Sequence, residues 1–74
     1  MTFGTLLRRF RDKLRLTQRE VSDLIDVSQS TYNSWESDIN LPNLKYFFSI
    51  VIVLKCPIEE ILEVLPQPFP LKDN

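Results

Sequence analysis

Leu16-Thr17-Gln18-Arg19-Glu20-Val21-Ser22-Asp23-Leu24-Ile25-Asp26-Val27-Ser28-Gln29-Ser30-Thr31-Tyr32-Asn33-Ser34-Trp35-Glu36 is the stretch that decides the fold. Thr17 stands three residues before Glu20, the spacing of a capping box that opens a helix. Val21, Leu24 and Ile25 predict its buried stripe, and Asp26 ends it. Ser28 then caps a second short helix, Gln29 to Glu36, whose inward residues are Tyr32 and Trp35. The other face of that helix is small and polar: Gln29, Ser30, Asn33 and Ser34. So polar a helix is unstable alone, because nucleation is costly and little apolar area is on offer. It needs a neighbour to hold it and a use for its bare face.

Two short helices joined by so tight a turn have helix-turn-helix geometry. With Gln18 as the first position, the fourth, eighth, tenth, fifteenth and eighteenth are Val21, Ile25, Val27, Tyr32 and Trp35. All are apolar, as two crossing helices require. The fifth, Ser22, is small enough for the second helix to pass closely, and the ninth, Asp26, falls where the turn needs a positive φ.

Upstream, Phe3, Leu6, Leu7, Phe10 and Leu14 follow one face of a helix, with arginines on the other and Thr2 or Thr5 as its cap. Downstream, residues 37–43 read as a loop. Asn43 caps a fourth helix, Leu44 to Leu54. Its β-branched run suits a strand equally well, but no second strand candidate exists to pair with it. A helix apolar nearly all round belongs at the centre or at a self-association surface. Pro57 opens a fifth helix carrying Ile58, Ile61, Leu62 and Leu65, with Glu59 and Glu60 placed favourably for its dipole. Pro66, Pro68 and Pro70 then forbid further helix. The expected organisation is an all-α, compact five-helix domain over residues 1–65, with the helix-turn-helix at about 18–36. A Pro-rich C-terminal tail, residues 66–74, is expected to be extended.

Composition narrows the function. The 74 residues contain no histidine, one cysteine (Cys56) and one glycine. Catalytic triads, histidine bases and most zinc sites are thereby removed, so an enzyme is not expected, nor any metal, cofactor or small-molecule substrate. Cys56 cannot form an internal disulfide and fits a reducing cytoplasm. The apolar stretch Phe3 to Leu7 is too short for a signal peptide, and the nine residues Tyr46 to Leu54 are too few for a membrane span. A cytoplasmic protein is expected. Net charge is −1, but it is uneven. Residues 1–20 hold six bases and two acids, a net of +4, and residues 21–74 hold three bases and eight acids, a net of −5.

Leu16-Thr17-Gln18-Arg19-Glu20-Val21, Val27-Ser28-Gln29-Ser30-Thr31-Tyr32 and Trp35-Glu36 resemble the XRE family of phage-repressor and Cro-like helix-turn-helix domains. Leu41-Pro42-Asn43-Leu44 and Pro57-Ile58-Glu59-Glu60-Ile61-Leu62 are similar to the starts of that family's fourth and fifth helices, so the resemblance covers about residues 3–65. It implies a lambda-repressor-like domain that lays its third helix in the major groove of double-stranded DNA. Gln29, Ser30 and Ser34 match family base-contact positions, and Gln29 has the carboxamide that pairs bidentately with adenine. Gln18 matches a family phosphate contact. Arg11, Arg19, Ser28, Thr31, Asn33 and Asn40 are further candidates for the DNA backbone. Arg11 and Glu36 match a family salt bridge that is mainly architectural. Asp26 stands where the family usually has glycine, Asp38 where it usually has Lys or Arg, and the third helix holds no base.

The resemblance implies a transcriptional regulator, repressor-like and cytoplasmic in a prokaryote or phage. It is expected to act as a homodimer through the fourth and fifth helices or the tail. The alternative is a protein-interaction module, antitoxin or anti-repressor that keeps the fold with weak or no DNA binding. Net acidity and Asp38, whose charge would repel DNA, favour that alternative.

Overall fold

The computed structural model describes residues 1–65. It contains five helices and, among the described residues, no strand: α1 Phe3–Lys13, α2 Gln18–Ile25, α3 Gln29–Glu36, α4 Leu44–Leu54 and α5 Ile58–Val64. The expected tail lies outside those residues.

Each helix begins where the side chains dictate. Thr2 caps α1 and Thr5 returns the bond: Thr5 N–H donates to Thr2 Oγ1 at 3.2 Å, and Thr2 N–H to Thr5 Oγ1 at 2.9 Å. Thr17 and Glu20 form the same reciprocal pair on α2, at 3.0 and 2.8 Å. Ser28 Oγ accepts from Thr31 N–H at 3.0 Å, and Asn43 Oδ1 from Tyr46 N–H at 3.2 Å. Pro57 precedes α5 without a side-chain cap. Asp26 ends α2 in the left-handed region at φ 68°, the conformation its place in the turn requires.

α3 packs on α1 and α2, α4 on α1 and α2, and α5 on α1. Leu6 and Leu7 of α1, Val21 of α2, Tyr32 of α3, Ile50 of α4 and Ile61 of α5 meet in one core. Trp35 joins α3 to α4, its ring centroid 5.7 Å from that of Tyr46, and Phe3 meets Phe47 edge-on at 5.5 Å. Cys56 is buried, and burial pushes its thiol up to about 11, well out of the reactive range.

One expectation about the core needs correction. Leu24 was placed in the stripe of α2 but is 62% exposed. The buried face is Val21, Ser22 and Ile25, because the small Ser22 turns towards its neighbours and rolls Leu24 outward. In α5 only Ile61 is buried, whereas Ile58 and Leu62 face outward. α4 is also one-sided: Ile50 and Leu54 are buried, while Leu44, Phe48 and Ile52 are exposed. The outer faces of α4 and α5 together form an apolar groove lined by Leu44, Phe48, Ile58 and Leu62.

Candidate nucleic-acid interface

Glu36 is the anchor of the site. Its side chain is fully buried at the end of α3. Arg11 reaches it from α1 with two parallel bonds, Nε to Oε2 at 2.6 Å and Nη2 to Oε1 at 3.1 Å. The third arm of the guanidinium, Nη1, donates to the Leu16 carbonyl at 2.9 Å and so fixes the chain between α1 and α2. Gln18 Nε2 adds a bond from α2 to Glu36 Oε1 at 2.9 Å. One carboxylate thus joins the first three helices. Burial by itself would raise the Glu36 pKa, but the hydrogen bonds from Arg11 and Gln18 outweigh it and hold the carboxyl below its usual value. The Tyr32 hydroxyl is buried beside this carboxylate without reaching hydrogen-bond geometry. Burial, with the Glu36 charge added, pushes its pKa far up, so the phenol stays neutral.

α3 lies over this brace. Gln29 and Ser30 are exposed in its first turn and make no side-chain hydrogen bond to the described residues. Ser34 is half-buried, and its hydroxyl donates back to the Thr31 carbonyl at 2.6 Å. Ser28 and Thr31 are exposed and joined through their hydroxyls at 2.8 Å. Asn33 is exposed, and its Oδ1 accepts from Gln18 Nε2 at 3.1 Å. The fold therefore brings Gln18, Asn33 and Glu36 to one seam between α2 and α3. Arg19 and Asn40 are exposed, on α2 and in the loop after α3. Arg11 differs from the other candidates: its side chain is 13% exposed, and Nε, Nη1 and Nη2 all point inward to partners.

Two further residues, neither of them among the expected DNA contacts, belong to this region. Asp38, expected to face DNA as a repelling charge, instead accepts the Gly4 N–H at 2.8 Å through Oδ1. It thus ties the loop after α3 to the first turn of α1, where a carboxylate is favoured by the helix dipole. Gly4 is the chain's one glycine, and it lies within a helix because the α3 terminus rests on it: a Cβ there would collide with the Glu36 carbonyl. A glycine at a helical position was the available signal for that close approach. The second residue is Arg8, one turn after Gly4, whose Nε lies 3.8 Å from Glu36 Oε1.

Among the described residues no group of His, Cys, Asp or Glu is arranged to hold a metal ion, and no helix is long and apolar enough to cross a membrane. A family model described as helix-turn-helix matches residues 7–61. No curated protein and no solved structure matches the chain significantly.

Proposed function

The chain belongs to the XRE-type helix-turn-helix family, a class of DNA-binding regulators, and on that premise we propose that it is a sequence-specific, repressor-like regulator of transcription that binds operator DNA as a homodimer. The observation that carries this reading is the exposed, unpartnered polar row of Gln29 and Ser30 on a helix braced from behind by Arg11, Gln18 and Glu36. A helix is the element that enters a groove about 12 Å wide, and it reads bases with polar groups near its N-terminus. Gln29 would pair with adenine, and Ser30 and Ser34 would meet neighbouring base edges. Gln18, Arg19, Ser28, Thr31, Asn33 and Asn40 would hold the backbone. Arg11 would serve first as the brace of Glu36, with only its remaining donors turned to phosphate.

The groove between α4 and α5 suits a second copy of the chain. Its exposed apolar side chains form a contiguous patch. Lys45 and Lys55 lie on α4 and at its end, and Glu59 and Glu63 on α5, so a two-fold partner can pair unlike charges around it. Two copies would double the contacts that one small module makes with DNA. The alternative, a protein-interaction module, drew on net acidity and on Asp38 as a charge that would repel DNA. The Gly4 contact gives that residue a structural place instead.

The test is a gel-shift selection from a random-sequence duplex pool at two salt concentrations. A recovered consensus with two related half-sites is expected, and Gln29→Ala should relax preference at one base position while the circular dichroism spectrum stays unchanged. No retardation of any duplex at low salt would overturn the reading.

A further inference from the structure

Residues 29–40, the proposed reading helix and the loop behind it, contain no Lys or Arg. A helix seated in the major groove is nonetheless flanked by two phosphate strands, and their charge must be met by cations beside it. Among the described residues, two arginines of α1 approach the end of α3, Arg11 and Arg8. Arg11 is largely buried and its charge is matched by Glu36, at 2.6 Å. Arg8 is different in each respect. Its side chain is 57% exposed, it donates no hydrogen bond to the described residues, and at 3.8 Å from Glu36 Oε1 it faces a carboxylate that Arg11 and Gln18 already satisfy. Its position is still defined, because Gly4, one turn earlier on the same face of α1, rests against the Glu36 carbonyl. The guanidinium therefore lies beside the end of α3, exposed and with no hydrogen bond to the described residues.

We propose that Arg8 is a phosphate-binding residue of this domain, supplying from α1 the cationic contact that α3 and its loop lack. This rests on the DNA-binding reading. A bidentate guanidinium–phosphate contact fixes the register of α3 on the duplex and carries no sequence information.

The experiment is a fluorescence-anisotropy titration of the whole chain against two duplexes, one recovered by selection and one of random sequence, over a salt series. Arg8→Gln should weaken binding to both by the same factor and lower the slope of log K against log salt by about one. Arg8→Lys should keep that slope. Arg9→Gln removes the same charge from a residue about 100° further round the helix, and should change the slope less. Thermal melting of each variant checks folding. Because Arg8 and Arg9 are exposed and neither donates a hydrogen bond to the described residues, all three should melt with the wild type. If wild type binds and the Arg8→Gln slope equals its own, Arg8 does not touch phosphate and the DNA reading stands. Equal effects of Arg8→Gln and Arg9→Gln would show net charge acting without a positioned contact, which also overturns the proposal. Absence of binding by wild type overturns both.

Discussion

At the scale of single residues, Gly4 and Glu36 show how local chemistry becomes architecture. Helix propensity alone would favour Gly4→Ala by about 1 kcal/mol. The Glu36 carbonyl occupies the space of the new methyl group, so the opposite is expected. Overpacking of this kind costs about 1–3 kcal/mol and should lower the melting temperature by several degrees. An unchanged or higher melting temperature would mean that α1 slides away from α3 at no cost. Glu36 couples stability to pH. Its pKa is depressed in the folded chain, so its contribution is complete above the unfolded glutamate value of about 4.3 and is lost as pH falls through the lower folded value. Glu36→Gln leaves Arg11 facing a neutral group and should cost about 3 kcal/mol at neutral pH. Urea titrations over a falling pH series should show the gap to wild type narrowing once pH drops below the unfolded glutamate value, as the Glu36 carboxylate takes up its proton. A gap of constant size would place the charge of Glu36 outside the stabilising network.

At the scale of elements, the caps and the turn were legible because they depend on neighbours in sequence. Thr17 with Glu20, Ser28 and Asn43 all cap as their spacing requires. α4 was the ambiguous element, since Ile50-Val51-Ile52-Val53 suits a strand by local propensity. The Asn43 cap and the burial of Ile50 and Leu54 prevail over that preference. Which side of a short helix is buried was less legible, as Leu24 shows. Val21→Ala should cost about 2 kcal/mol, because its side chain is fully buried. Leu24→Ala should stay within about 0.5 kcal/mol. Equal losses in denaturant midpoint would return Leu24 to the core.

At the scale of the whole molecule, the distribution of charge and apolar surface matters more than the totals. The net −1 conceals a +4 segment ahead of a −5 remainder, and α1 brings two of its bases, Arg8 and Arg11, to the end of α3. The apolar groove is lined by α4 and α5 and not by the polar α3, so a second copy seated there would leave α3 free. The double variant Phe48→Glu with Leu62→Glu should sediment as a monomer, retain its helical circular dichroism and retard duplex DNA more weakly than wild type. An unchanged sedimentation coefficient would remove this groove as the dimer surface.

The sequence by itself determined the five helices, their caps and the helix-turn-helix spacing, since these follow from contacts three or four residues apart and from apolar periodicity. It also marked Gln29, Ser30, Asn33 and Ser34 as a polar face, because Tyr32 and Trp35 must turn inward; of these Ser34 is half-buried. Only the tertiary structure decided what lies against what across larger separations: Asp38 on Gly4, Arg8 beside Glu36, Gln18 bridging Asn33 and Glu36, and Leu24, Ile58 and Leu62 facing outward. Periodicity gives each helix an apolar side but not its roll about its own axis. That roll is set by the shape of the neighbours it packs against, the small Ser22 and the bare Gly4 among them.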